Sequence, residues 1–108
     1  MTDAARHAAF AIVFEYRVSE HQTPAFERAY GSDGEWARFF RKDPAYRGSE
    51  LWVFTAAPGR YVVVDRWDSE DAYRAFRDGH RAEYERRSAE SEPLYEIERV
   101  VGELERRG

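Results

Sequence analysis

Apolar residues occur in short dense runs and in helical stripes, and these two patterns divide the chain into strands and helices. The segment 10–18 is rich in β-branched and aromatic residues and too short for a helix, so it is predicted to be the first strand. The same reasoning predicts strands at 49–55, 61–67 and 94–104. A turn signal at 57–60 joins the second and third strands as an antiparallel hairpin.

Two helical regions lie between these strands. The first begins at Thr23, a capping hydroxyl followed by a proline, and continues after a glycine interruption as a second piece at 35–41, which a capping box at 32–35 would start. The other begins at the acidic segment 68–71 and carries an apolar stripe to about residue 89. The order βαββαβ is the split βαβ pattern, which predicts a ferredoxin-like α+β domain.

Length and composition narrow the class of protein. A chain of 108 residues suits one domain, here 1–108 with a core at about 9–104. The net charge of −4 provides no general attraction to nucleic acid or to anionic membranes. The absence of cysteine excludes disulfides and a thiolate metal site. The first apolar stretch, 8–14, is too short for a secretory signal or a membrane span, so a soluble cytoplasmic protein is expected.

Both faces of the predicted sheet are apolar. Ala11, Val13, Val62 and Val64 line the face opposite to the one that carries Tyr16. The helices of a ferredoxin-like domain cover one face, and a face left to water would carry polar residues. A second copy packed face to face under two-fold symmetry would cover the second face, which predicts a homodimer. The alternative is a sheet that is merely rich in valine.

Four segments share a pattern with one known family. They are 30–40, 46–51, 64–67 and 72–80, and the end of the third strand with the helix start that follows it is the most distinctive part. Together they resemble the antibiotic biosynthesis monooxygenase family over almost the whole chain. The resemblance implies a dimeric α/β barrel. That superfamily includes cofactor-free quinone-forming monooxygenases, heme-degrading enzymes and members without assigned activity.

The same resemblance disfavours heme degradation. Family members that cleave heme carry an asparagine on the first strand, a tryptophan within the second helix and a histidine ligand later in that helix. This chain contains no asparagine, and Tyr16 or a neighbour occupies that position. Phe76 stands where the tryptophan would be, and the ligand position falls near Arg86, beyond His80.

His80 is the candidate catalytic base, because it is the only histidine inside a predicted regular element and lies on an apolar helical stripe. Tyr16 or Tyr84 would donate a hydrogen bond to a developing oxyanion. The alternative is a structural His80, packed beside aromatic rings with its nitrogens satisfied by backbone or water.

Aromatic side chains supply the candidate substrate-binding residues, which are Trp36, Phe40, Trp67, Phe76 and Tyr84. They could wall a cavity for a flat aromatic substrate, although such a stripe is more often simply part of a hydrophobic core. Asp65 shares a strand face with Trp67, so a buried carboxylate is expected, with an arginine as its partner.

Other site signals are missing from the sequence. His7, His21 and His80 have no metal-ligand spacing, and no nucleotide-binding or hydrolase motif occurs. Neither a metal nor a cofactor is therefore predicted.

The resemblance implies a cofactor-independent monooxygenase that acts on a small quinol-like or anthrone-like aromatic with O₂. The alternative is a non-catalytic dimeric barrel that binds a small apolar ligand, and the two differ in whether a polar group faces an open cavity.

Overall fold

Four strands and four α-helices make up residues 8–108, the part of the chain that the computed structural model describes. In chain order they are β1 (Phe10–Arg17), α1 (Thr23–Tyr30), α2 (Glu35–Phe40), β2 (Tyr46–Phe54), β3 (Ala57–Trp67), α3 (Glu70–Gly79), α4 (Arg81–Ser91) and β4 (Ile97–Glu105). One-turn 3₁₀ helices at Glu20–Gln22 and Glu92–Leu94 precede α1 and β4. His7 and the six residues before it lie outside the described range. The predicted βαββαβ order is confirmed, with each helical region divided into two helices.

The strands form one antiparallel sheet in the order β2-β3-β1-β4. β1 and β3 pair in an unbroken register that sets Tyr16 opposite Tyr61 and Val13 opposite Val64. The pairing of β1 with β4 shifts after Val13. With β1 and β3 at the centre and the helices on one face, this is the ferredoxin-like α+β fold that the sequence predicts.

The turn between β2 and β3 is shorter than predicted and comes earlier. Thr55 and Ala56 form it and β3 starts directly after them, whereas the sequence placed the turn at 57–60. Gly59 lies inside β3, where its carbonyl accepts the N–H of Val18 at 2.8 Å. A Cβ at Gly59 would lie 2.6 Å from the carbonyl oxygen of Val18. The glycine therefore marks a close approach of two chain segments and not a turn.

One predicted helix cap is present and two are not. Ser69 is the N-cap of α3 and accepts a backbone N–H at 3.1 Å, as the segment 68–71 predicts. The Thr23 hydroxyl instead donates to the carbonyl of Ser19 at 3.3 Å. α2 begins after Gly34 without a side-chain cap, so the predicted capping box was wrong.

The predicted long second helix is broken at His80. Its backbone angles, φ −124° and ψ 31°, are not helical, so α3 and α4 are separate helices. α3 packs Tyr73 and Phe76 into the core, whereas α4 buries only Ser91. No helix within residues 8–108 is both long enough and apolar enough to span a membrane.

Buried side chains between the sheet and the helices form two clusters. One contains Trp67 and the other contains Phe26. Phe14 and Trp36 are partly buried and pack against both clusters. These two side chains therefore mark a seam in the core.

The opposite face of the sheet carries apolar side chains that are open to solvent. Val13, Val62 and Val64 are half-buried there. Trp52, which pairs with Val62, is 61% exposed, and Leu104 on β4 is 53% exposed. The apolar second face that the sequence predicts is thus present, and its cover is considered under the proposed function.

Candidate functional site

A small cavity lies at the seam between the two core clusters, where residues of the sheet, α2 and α4 meet. Its free volume is about 40 Å³, which is room for about three water molecules. Seven aromatic side chains line it, among them Tyr16, Trp36, Phe40 and Tyr84. The sequence predicted these four as site residues, and the structure brings them together.

Asp65 is the buried carboxylate of this cavity and is 8% exposed. Ser49 donates its hydroxyl proton to Asp65 Oδ1 at 2.5 Å, and the Tyr46 hydroxyl lies 2.5 Å from Ser49 Oγ. Burial raises the pKa of Asp65 from its ordinary 3.8 to about 6, and the hydrogen bond from Ser49 opposes this rise only in part. Ser49, and not an arginine, is the partner within residues 8–108, so the predicted pairing with arginine was wrong.

Glu98, on β4, supplies a second carboxylate to the cavity wall. The Tyr16 hydroxyl donates to Glu98 Oε2 at 2.6 Å, and the Tyr95 hydroxyl donates to Oε1 at 3.4 Å. Burial raises the pKa of Tyr16 far above its usual range, and the bond to Glu98 acts in the same direction. The proton of Tyr16 is therefore committed to Glu98 and is not free for a ligand.

The Tyr84 hydroxyl, in contrast, makes no hydrogen bond within residues 8–108. Burial raises the pKa of Tyr84, while the charge of Arg77 opposes the rise. The guanidinium carbon of Arg77 lies 4.1 Å from the centroid of the Tyr84 ring, a cation–π contact. Tyr84 also meets Trp36 edge to face, with ring centroids 5.3 Å apart. Tyr84 is thus a lining residue with an unused donor and a cation behind its ring.

His80 lies outside the cavity lining. Its ring stacks on Phe76 with centroids 4.2 Å apart and meets Phe39 edge-on at 6.0 Å. Its Nδ1 lies 3.1 Å from the backbone carbonyl of Phe76, a distance that suits an Nδ1–H donor. This environment matches the structural alternative given for His80.

Trp67 and Phe76, two of the predicted substrate-binding residues, also lie behind the cavity wall. Both rings pack against Phe40, at centroid distances of 5.5 and 5.8 Å, and Phe40 itself lines the cavity. Trp67 is 1% exposed, and its indole Nε1 has no acceptor within residues 8–108. A buried donor without a partner is costly, so this indole N–H destabilises the fold where it lies.

Comparison with known proteins identifies the family. The family profile described as antibiotic biosynthesis monooxygenase matches residues 9–86. The chain belongs to this family. Among solved structures it is similar to SnoaB, a cofactor-independent oxygenase from Streptomyces nogalater, with 18% identity, coverage of 94% of this chain and 95% of that chain, and a TM-score of 0.75. A monooxygenase from Streptomyces coelicolor in complex with nanaomycin D is 25% identical, with coverage of 94% and 90% and a TM-score of 0.67.

The antibiotic biosynthesis monooxygenase fold therefore extends over nearly the whole chain, in agreement with the resemblance found in the sequence. No curated protein matches the chain. Family membership makes the protein a member of a group of monooxygenases, while its site chemistry has to be argued from its own residues.

The sequence did not identify Asp65 and Glu98 as site residues. Strand alternation places Asp65 on the buried face, which is visible in the sequence. Its hydrogen bond to Ser49 depends on the register of β2 against β3, in which these two residues are paired. The partnership of Glu98 with Tyr16 likewise follows from their pairing between β4 and β1.

Proposed function

We propose that the protein is a cofactor-independent monooxygenase that oxidises a small quinol-like or anthrone-like aromatic with O₂, and that Asp65 is its general base. The observation that carries the proposal is a buried carboxylate inside an aromatic cavity, with a pKa of about 6. A base with a pKa near the working pH is both ionised and able to hold a proton. Membership of a monooxygenase family and the similarity to a cofactor-independent oxygenase support the reaction class.

The reaction asks for few protein groups. Asp65 accepts a proton from the substrate, and the resulting anion passes one electron to O₂. The substrate radical and superoxide then combine through a new C–O bond to give a peroxide. The peroxide anion takes back the proton held by Asp65 and becomes a hydroperoxide. For an anthrone-like CH₂ carbon, loss of the second C–H proton and departure of hydroxide from this hydroperoxide leave a C=O group. The hydroxide is protonated to water, so one oxygen atom enters the product, the other leaves as water, and the substrate supplies all the electrons.

Tyr84 is the donor that this scheme needs at the developing oxyanion. Tyr84 lines the cavity and its hydroxyl has no partner in residues 8–108, whereas the hydroxyl of Tyr16 is bound to Glu98. The positive charge of Arg77 over the Tyr84 ring offsets part of the rise in the pKa of this phenol that burial causes. Trp36 and Phe40 supply apolar wall against which a flat ring and O₂ can lie.

The cavity has to widen before an aromatic substrate can enter. Pockets for ligands of drug size enclose several hundred Å³, and about 40 Å³ is free here. α4 carries Tyr84 and Ser88 into the lining, and Ser91 is its only buried residue. We therefore expect α4 to move outward on binding while the sheet and α2 stay in place.

The small free volume also favours a second candidate function. A barrel that retains the fold without catalysis would have a nearly filled interior and would bind at most a small apolar ligand. The two candidates give different results when Asp65 is changed. A catalytic base is needed for turnover, whereas a passive apolar site would bind its ligand equally well with a neutral amide in this position.

The test is O₂ consumption with 1,8-dihydroxyanthrone, corrected for its spontaneous oxidation, for wild type, Asp65→Asn and the control Asp33→Asn. The side chain of Asp33 is 90% exposed. We expect Asp65→Asn to lower the rate about 10²-fold or more and Asp33→Asn to leave it unchanged. The wild-type rate should increase as the pH rises through about 6. Equal rates for wild type and Asp65→Asn would overturn the assignment of the base.

The protein is further proposed to be a homodimer that associates through the open sheet face. Val62 and Val64 on the central strand and the exposed Trp52 on β2 form an apolar area there. Burial of this area against a second copy would remove it from water at a gain of roughly 25 cal/mol per Å². The cytoplasmic location inferred from the sequence is kept as part of the proposal.

A further inference from the structure

Three buried polar groups lie in a row that begins at Asp65. Ser49 Oγ is 2.5 Å from Asp65 Oδ1 and 2.5 Å from the Tyr46 hydroxyl. A serine hydroxyl has one proton to donate, and an ionised carboxylate can only accept. Ser49 therefore donates to Asp65, and Tyr46 must donate to Ser49. While Asp65 is ionised, the row has one direction, from Tyr46 through Ser49 to the carboxylate.

The hydrogen-bonded row occupies one oxygen of the Asp65 carboxylate and leaves the other oxygen free to bind a ligand. Oδ1 accepts from Ser49, whereas Oδ2 has no hydrogen bond within residues 8–108. Oδ2 is nevertheless not fully enclosed. Among the described residues, the side-chain polar atom that is both fully enclosed and without a partner is Trp67 Nε1. Since Asp65 lines the cavity, Oδ2 is the oxygen that can reach a ligand there.

The far end of the row lies in the hydrophobic core near the outer strand. Ser49 lines the cavity and Tyr46 does not, although both belong to β2 at the edge of the sheet. The Tyr46 ring packs between Phe40 and Trp67, at 5.5 and 5.3 Å. This packing fixes the direction of the phenol, so the hydrogen bonds of the row have little freedom to reorganise.

We propose that Ser49 and Tyr46 are positioning residues that hold Asp65 with Oδ2 directed at the substrate proton and that stabilise its ionised form. The part of this proposal that concerns turnover rests on the proposed function. The part that concerns the carboxylate itself does not, because titration of Asp65 can be followed without a substrate.

Several other groups face Asp65 and have to stay constant in a test. Tyr16 from β1, Tyr46 from β2 and Tyr84 from α4 all sense its charge. Glu98 from β4 lies in the same cavity wall, and α2 contributes the uncharged Trp36 and Phe40. Arg41 and Arg66 act on the Tyr46 phenol from outside.

The decisive variants remove one hydroxyl at a time. Ser49→Ala removes the direct donor, Tyr46→Phe removes the second hydroxyl of the row, and Ser49→Thr keeps a donor in place. Tyr73→Phe is the matched control, because Tyr73 is a buried tyrosine of the same cluster as Tyr46 but its hydroxyl accepts from Arg77 at 3.2 Å. The titration of Asp65 is read from ¹³C-labelled aspartate carboxyl carbons, with Asp65→Asn identifying its signal.

A lost charge-assisted hydrogen bond raises the pKa of a carboxyl by about one unit or more. We expect Ser49→Ala to move the titration of Asp65 up by about one pH unit. Tyr46→Phe should move it less in the same direction, and Ser49→Thr and Tyr73→Phe should leave it in place. If Ser49→Ala and Tyr46→Phe both titrate like wild type, the proposal is wrong.

The pH dependence of kcat/KM adds a second measurement, which would stay unchanged if Ser49 and Tyr46 had only a structural role. The acid limb of kcat/KM should shift with the titration, so that Ser49→Ala loses about tenfold at pH 5 and little above pH 8. A loss that is equal at every pH would contradict the positioning role. If wild type shows no turnover at all, the proposed function fails, while the order of the titration shifts still decides the role of Ser49 and Tyr46.

Discussion

Replacement of Asp65 by asparagine should change how the stability of the protein depends on pH. The pKa of Asp65 is raised from 3.8 to about 6 in the folded protein, mainly by burial. Between these values the folded state binds more protons than the unfolded state, so the contribution of Asp65 to stability falls as the pH rises. The full difference corresponds to about 3 kcal/mol. An asparagine cannot ionise, and its Oδ1 can still accept the hydrogen bond from Ser49.

The measurement is urea denaturation of wild type and Asp65→Asn at pH 4, 6 and 8, at one fixed protein concentration. The free energy of unfolding of Asp65→Asn relative to wild type should rise by about 2 kcal/mol from pH 4 to pH 8, since part of the full effect lies below pH 4. Subtraction removes the contributions of other groups, such as Glu15, whose pKa is lowered by Arg60 and Arg99. The exposed Asp33→Asn serves as the control. If the free energy of unfolding of wild type and of Asp65→Asn changed with pH in parallel, the raised pKa of Asp65 in the folded protein would be refuted.

Three further outcomes follow from the same contacts. Tyr84→Phe should lower turnover about 10²-fold with little change in thermal stability. Tyr16→Phe should lower stability by about 1–3 kcal/mol because it removes the hydrogen bond to Glu98 Oε2; equal melting temperatures for the two variants would contradict this. Ser69→Ala should destabilise the fold by about 1 kcal/mol in urea titrations, through loss of the α3 cap. In sedimentation equilibrium, Val64→Glu should convert the dimer to a monomer, whereas the control Thr55→Glu in the β2–β3 turn should leave the dimer intact. A monomeric wild type would exclude the proposed dimer.

The order of elements could be predicted because it depends on local patterns. Dense apolar runs mark the strands, and Ser69 marks a helix start that the structure confirms. The errors occurred where distant segments decide the local structure. Gly59 was interpreted as a turn residue, but it is a strand residue that lies close to Val18. No pattern within 57–60 contains that information.

The candidate site was predictable in its aromatic part and not in its polar part. Tyr16, Trp36 and Tyr84 reach the cavity because helical and strand periodicity assign them to the interior. His80 was assigned by the same periodicity, but the helix is interrupted at this residue and its ring stacks on Phe76. Asp65 required knowledge of the register that brings Ser49 to it.

The interruption at His80 assigns core packing and cavity lining to two separate helices, whereas one continuous helix would combine both roles. α3 holds Tyr73 and Phe76 in the core, and α4 supplies Tyr84 and Ser88 to the cavity while burying only Ser91. Substitution of Ser88 therefore alters the outer wall of the cavity at less risk to folding than substitution of Tyr73 or Phe76. For directed evolution, Ser88 is the α4 position to vary when a different ligand range is wanted, because Tyr84 is the proposed donor and Ser91 accepts the indole N–H of Trp36.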